Sequence, residues 1–153
     1  EAENNPALKQ MGTTLVALLV MDDVAHIAHI GDSRCYRLSA EHFVQLTRDH
    51  SVVQQMVDEG ALTEEEAERS PIRNYLTRSL GSQNEAGIEL QSLSLRPGDR
   101  LLLCTDGLSN MLSSAEISRL LSEGDSSVVC EEMLALALSR GATDNVSVIA
   151  CTL

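Results

Sequence analysis

Three aspartates fall where apolar runs meet turns. Asp32 follows the run Val24–Ile30, in Ile30-Gly31-Asp32-Ser33-Arg34. Asp106 follows the run 101–104, in Cys104-Thr105-Asp106-Gly107-Leu108. Asp144 precedes the run 146–151, in Ala142-Thr143-Asp144-Asn145-Val146. If those strand ends share one edge of the fold, three carboxylates converge. Clustered carboxylates raise one another's pKa unless a cation offsets them. Mg²⁺ and Mn²⁺ favour carboxylate oxygens for that purpose. Asp-Gly and Asp-Asn are also ordinary turn dipeptides, because Asp bonds its own backbone and Gly takes positive φ. From these residues alone the reading is a hard-metal site or three plain turns.

The other reactive side chains carry less. No cysteine pair has CxxC spacing, and the chain lacks a Cys/His cluster suited to zinc. His26 and His29 stand on opposite faces of one strand and read as packing. His50 opens an Asp-His-Ser turn and reads as structural, because adjacent residues such as His50 and Ser51 rarely point at one another. Cys35, Cys104, Cys130 and Cys151 read as free thiols in a reducing cytoplasm, with a Cys104–Cys151 disulfide as the alternative.

The elements that must position the aspartates follow from pattern. Residues 13–21 and Val24–Ile30 are β-branched and aliphatic runs, separated by Asp22-Asp23, the length of a tight hairpin. Both are apolar on both faces, which predicts strands covered on each side. Residues 34–38 and 43–46 form a second strand pair. Val52, Val53, Met56 and Val57 recur at helical spacing up to Gly60. Thr63 with Glu66 is a capping box opening a helix over 64–69, ended by Pro71. Residues 49–80 are thus a helical excursion, a candidate flap. Residues 88–95 and 100–105 read as strands joined by Pro97-Gly98-Asp99. Ser113 with Glu116 caps a helix over 115–121. Asp125 or Ser126 opens a longer one to about Arg140, closed by Gly141, before a last strand over 145–153. Strands first and helices inserted later predict an α+β fold with sheet packed on sheet and helices outside.

Composition limits the partners. The chain has 153 residues, and 11 Lys+Arg against 23 Asp+Glu leave a net charge of −12. That balance argues against nucleic acid and anionic membranes, both of which need cations to neutralise phosphate. The 43% apolar share excludes a disordered chain, and no run approaches a spanning helix. The opening residues 1–9 do not look like a secretion signal. Ten of the 11 basic residues are Arg, with Lys9 the exception, so the few cations have the planar fork suited to phosphate.

Taken in order, the motifs say more. Met11-Gly12-Thr13-Thr14 comes first, then Ile30-Gly31-Asp32-Ser33-Arg34-Cys35-Tyr36 and Leu46-Thr47-Arg48-Asp49-His50-Ser51. Arg73-Asn74-Tyr75-Leu76-Thr77-Arg78-Ser79-Leu80-Gly81, Leu103-Cys104-Thr105-Asp106-Gly107-Leu108 and Thr143-Asp144-Asn145 follow. The series resembles the bacterial branch of the metal-dependent serine/threonine protein phosphatases, the PPM or PP2C-like family, from Met11 to the C-terminus. The resemblance implies an antiparallel β-sandwich flanked by helices, with metals at one end. It implies hydrolysis of phosphoserine and phosphothreonine in proteins with two, or three, Mg²⁺ or Mn²⁺ ions. Asp106 and Asp144 would be ligands of the paired ions, and Asp32 would share a third with Asp106. Arg73 and Arg78 would help hold substrate, or else pair with the Glu64–Glu68 carboxylates. Phosphorylated proteins and a cognate Ser/Thr kinase would be the partners.

The front of the family pattern does not match. No Asp-Gly-x-Gly-Gly stretch with its following general-acid His occurs here, nor a leading segment with the phosphate-binding Arg. The expectation is therefore the C-terminal two-thirds of a catalytic domain, lacking N-terminal strands and inactive alone. Its open sheet edges would invite domain swapping or edge pairing. Two other functions stay in play: a non-catalytic relative that binds phosphoprotein, and the sporulation or stress-response branch that dephosphorylates anti-sigma-factor antagonists. The 49–80 excursion stands against the last, since it resembles the flap of the kinase-counteracting branch.

Overall fold

In the computed structural model, which describes residues 11–40, 42–81 and 87–153, the chain runs β1 (Leu15–Met21), β2 (Val24–Ile30), β3 (Arg34–Ser39), β4 (His42–Gln45), α1 (Val52–Asp58), α2 (Glu64–Glu68), β5 (Glu89–Ser94), β6 (Arg100–Cys104), α3 (Asp106–Ser109), α4 (Ser114–Glu123), α5 (Ser126–Ser139) and β7 (Val148–Thr152). Lys9 and the opening segment, like Glu41 in the β3–β4 connection, lie outside the described residues. The strands form two antiparallel sheets, ordered β1-β2-β5 and β4-β3-β6-β7. Every pairing in both is antiparallel. The α+β sandwich expected from the pattern is the fold observed.

Burial follows the strand period of two. Ala25 and Ile27 of β2 meet Cys35, Leu101 and Leu103 of the other sheet, with Leu18, Leu93 and Leu46 filling between them. The opposite face of the second sheet, carrying Tyr36, Leu102 and Cys104, packs under Leu108, Ile117, Leu121, Val129 and Met133 of α3, α4 and α5. So β6 is buried on both faces. β1 is not: its residues alternate between exposed and half-buried. The expectation that β1 and β2 are covered on each side is corrected here: no described helix lies over the outer face of their sheet, where His26 of β2 is also exposed. Leu19, Met21 and Leu90 on that face are 56%, 55% and 78% exposed.

Local signals account for most element ends. Both capping boxes form: Glu66 N–H donates to the Thr63 hydroxyl and Glu116 N–H to the Ser113 hydroxyl, while each glutamate accepts the cap's own N–H. α2 stops at Glu68 with Arg69 as its C-cap, and α4 extends to Glu123, longer than the pattern predicts. α3, a single turn after Thr105, is too short to show a periodicity. β7 starts at Val148, not 145, because the Asn145 carbonyl accepts the Thr105 hydroxyl instead of joining the ladder. The 49–80 excursion is tied at its base: Thr77 N–H donates to the His50 carbonyl, Val52 N–H to the Tyr75 carbonyl, and Thr13 and Leu80 exchange two bonds.

All four cysteines are free. Cys104 sits opposite Val148 and Cys151 opposite Leu101, so the two thiols leave opposite faces of the sheet and no bridge joins them. Burial pushes Cys35 and Cys104 up to about 12, so both stay protonated. Among the described residues no helix is long and apolar enough to cross a membrane.

Candidate metal and phosphate site

Two glycines let the aspartate-bearing turns close on their neighbours. Gly31 has φ +108, and a Cβ there would lie 2.3 Å from the Thr14 Cγ2. That tight turn ends β2 and puts Asp32 beside the start of β3. Gly107 faces the Asn145 carbonyl, which a Cβ would meet at 2.4 Å. Thr105 bridges the same two segments: its hydroxyl donates to the Asn145 carbonyl at 3.1 Å and accepts the Ser147 N–H at 2.9 Å. The β6–α3 turn and the loop before β7 are thereby held together, and Asp106 and Asp144 with them.

The electrostatics register the convergence. Burial, then Asp106 and Asp49, push the Asp32 carboxyl up to about 6. Burial, then Asp144, raise Asp106 above its ordinary value. Asp32 thus feels Asp106, and Asp106 feels Asp144, as neighbours near one edge of the fold would. Asn110 Nδ2 donates to Asp106 Oδ2 at 3.3 Å. A hard divalent cation would remove the repulsion, and an all-carboxylate donor set suits one. The residues present fit the ions that the resemblance implies.

Beside this rim is a cleft of about 530 Å³ lined by Asp32 and Asp106 on one side and by Arg69 and Arg73 of the excursion on the other. Its floor holds a pair that the sequence reading passed over. Asp49 accepts from Arg34 Nε at 3.0 Å and Nη2 at 2.7 Å, and from Gln45 Nε2 at 3.2 Å. The signal for Asp49 was its place in the motif series; its partner stands 15 residues earlier, which no local pattern shows.

The two candidate substrate arginines part company. Arg73 lines the cleft, and its Nη1 donates to the Glu68 carbonyl, not to a carboxylate of Glu64–Glu68. Arg78 does not line it; its Nη1 lies 3.3 Å from Glu89 Oε1, at the edge strand β5. Neither makes the ion pair with Glu64–Glu68 considered above; Arg69 does, with Glu65 at 2.8 Å. His26 and His29 do face opposite ways, His26 bonding Ser92 in the open and His29 buried.

Known proteins share this fold and much of this sequence. The protein phosphatase 2C family model matches residues 1–142. Protein phosphatase PhpP of Streptococcus pneumoniae is 41% identical over 143 residues, which are 93% of this chain and 58% of PhpP. The crystal structure of the Mycobacterium tuberculosis serine/threonine phosphatase PstP superposes with a TM-score of 0.93 at 39% identity, covering 99% of this chain and 64% of that one. The catalytic domain of PstP in complex with two manganese ions gives a TM-score of 0.88 at 38% identity, covering 97% of this chain and 62% of that one. The chain spans less than two thirds of the length of each. On fold, motif order and identity, it belongs to the protein phosphatase 2C family.

Proposed function

We propose that the aspartate rim holds Mg²⁺ or Mn²⁺ for the hydrolysis of phosphoserine and phosphothreonine in proteins. The observation that carries this reading is the mutual repulsion at the rim, where burial and neighbouring carboxylates hold Asp32 and Asp106 above the ordinary range. Asp106 and Asp144 would hold the paired ions, and Asp32 with Asp106 a third. Bound there, such ions supply a water of lowered pKa and Lewis-acid stabilisation of the transferring phosphoryl group. The chain's own residues bind and orient. Arg34 and Asp49 brace the end of β3 against the excursion, so that Asp32 keeps its place. Arg73 offers its fork to phosphate oxygens across the cleft. Arg78, occupied by Glu89, has no part in this.

Phosphorylated proteins are the substrate class, and a Ser/Thr kinase is the partner that makes them. The closed 49–80 excursion favours the kinase-counteracting branch over the one acting on anti-sigma-factor antagonists. Four free thiols favour a reducing cytoplasm. The non-catalytic reading has no observation of its own.

The 153 residues contain no Asp-Gly-x-Gly-Gly stretch, and the isolated chain is expected to turn over little. The test is phosphate release from a phosphothreonine peptide in Mn²⁺. It compares the chain alone with a chimera that adds the part of a relative's domain the chain does not span. The chimera should be active, and Asp106→Asn within it should abolish turnover. A chimera that takes up Mn²⁺ without hydrolysing the peptide would favour the binding module. Full activity from the chain alone would show that turnover does not need the Asp-Gly-x-Gly-Gly stretch.

A further inference from the structure

Outside the aspartate rim, one cluster of side chains is left chemically unfinished. His29 of β2 and Glu89 of β5 are direct cross-strand partners. His50 lies over them, its ring centroid 4.6 Å from that of His29. It is fixed by two bonds to one residue: His50 N–H donates to the Gly31 carbonyl at 2.8 Å, and Gly31 N–H donates to His50 Nδ1 at 3.1 Å. One ligand atom from each of the three side chains falls within 4.8 Å of the others. His29 is 1% exposed and His50 6%, while Glu89 is half open to solvent. Both ring nitrogens of His29 and Nε2 of His50 are buried with no hydrogen-bond partner among the described residues. His50 Nε2 is 3.0 Å from Glu89 Oε1, in contact but not aligned for a hydrogen bond. Buried polar atoms are nearly always satisfied, and three orphans in one place call for a ligand.

We infer that His29, His50 and Glu89 form a second metal site, for a borderline transition ion such as Zn²⁺ or Co²⁺ rather than for Mg²⁺. Two imidazoles and one carboxylate are a zinc donor set, with the fourth position on the solvent side of Glu89 left to water. The ligands come from two paired strands and a pinned turn, so they are held in place before the ion arrives. Burial and the neighbouring His50 lower the pKa of His29, which leaves its imidazole neutral and ready to ligate. Two features oppose binding. Arg78 Nη1, at 3.3 Å from Glu89 Oε1, must turn aside from that oxygen or share the carboxylate. Gly31 N–H holds the His50 proton on Nε2, so ligation there moves that proton to Nδ1 and breaks the Gly31 bond. A neutral hydrogen bond is worth about a factor of ten in affinity, which a three-ligand site exceeds.

The experiment titrates the 153-residue chain with CoCl₂ and ZnCl₂, reading the visible bands of four-coordinate cobalt and the heat of zinc binding. It includes Glu89→Gln, Asp106→Asn and His29→Leu, each checked for folding by circular dichroism. Glu89 is surface-accessible, so Glu89→Gln serves even if His29→Leu fails to fold. One cobalt with strong visible bands is expected, displaced by zinc. Zinc affinity in Glu89→Gln should fall by at least the roughly 10- to 100-fold that outer partners of a ligand cost. Asp106→Asn should leave it unchanged, and the Gly31 amide resonance should move on zinc addition. Absence of four-coordinate bands in the unsubstituted chain would overturn the site, as would bands that survive Glu89→Gln or vanish in Asp106→Asn. None of these readouts depends on phosphatase turnover.

Discussion

The two sheets bring nearly the same kind of sequence to different ends. Leu101-Leu102-Leu103 in β6 and the run Leu15–Met21 in β1 are both unbroken aliphatic strands. β6 lies between the sandwich interior and the helices α3, α4 and α5, and Leu101 and Leu102 are each 0% exposed. β1 has one face inside and the other open, with Leu19 and Met21 more than half exposed. An apolar run therefore identifies a strand, but not how many of its faces are covered. That depends on which later segments return to it. The site inherits the difference: Asp106 and Asp144 hang from the helix-backed sheet, whereas Asp32 closes a strand of the sheet with an open face.

The sharpest way to test this contrast is a pair of leucine truncations. Leu102→Ala empties a fully buried position under the helices and should cost about 3 kcal/mol in urea unfolding. Leu19→Ala, on the open face, should cost less than about 1 kcal/mol. Equal losses would mean that the outer face of β1 is covered in solution. A smaller effect is expected at the turn that carries Asp106. Gly107→Ala pushes a methyl group into the Asn145 carbonyl and should destabilise by about 2 kcal/mol. Because it separates the Asp106 turn from the Asp144 loop, it should also weaken Mn²⁺ binding. A variant that unfolds like the parent and keeps its Mn²⁺ affinity would show that the close approach is not needed.

Much of this was legible from local chemistry. Turn residues at strand ends marked Asp32, Asp106 and Asp144, and capping boxes marked α2 and α4, because each signal lies within a few residues. The Asp49–Arg34 pair, the exclusion of a Cys104–Cys151 bridge and the assembly of His29, His50 and Glu89 were not legible. Each depends on register between distant strands, and side chains 21 and 39 residues apart share no spacing rule. His29 reads as a packing residue and His50 as a structural turn residue, and only the fold puts their rings together. Arg73 and Arg78 looked alike in one motif, yet the chain turns between them and sends one to the cleft and the other to β5.

A pH titration compares the two supports of the rim by a further, smaller effect. In the folded, metal-free chain Asp32 keeps its proton to about pH 6, whereas an unfolded aspartate releases it near 3.9. Between those values the folded state binds more protons. Its stabilising share is complete below about pH 4 and is lost as the pH rises through about 6. The change should be of order 1 kcal/mol once solvent screening of a part-exposed group is allowed for. Urea midpoints in EDTA should fall across that window, and the Asp32→Asn variant should show a flatter profile. Saturating Mn²⁺ should raise the midpoint above pH 6, where the carboxylates are ionised. A profile in EDTA that falls from pH 4 to 6 just as steeply in Asp32→Asn would mean that Asp32 is not the group responsible.

The least effect on stability, and the most direct probe of the open face, is expected from Leu19→Thr. Threonine brings a β-branched shape that suits a strand, and the position is already 56% exposed, so unfolding should change by no more than about 0.5 kcal/mol. The solution behaviour should change more. Leu19, Met21 and Leu90 stand on one face of the three-stranded sheet, and β1 pairs with β2 alone among the described strands. An apolar face beside an unpaired edge favours contact between copies of the chain. Sedimentation of the parent should therefore show association that grows with concentration, and Leu19→Thr should reduce it while leaving the Leu102 side of the fold untouched. A parent that stays monomeric at high concentration would remove the expected self-association. It would also show that the contrast between the sheets is one of packing alone, with no consequence for assembly.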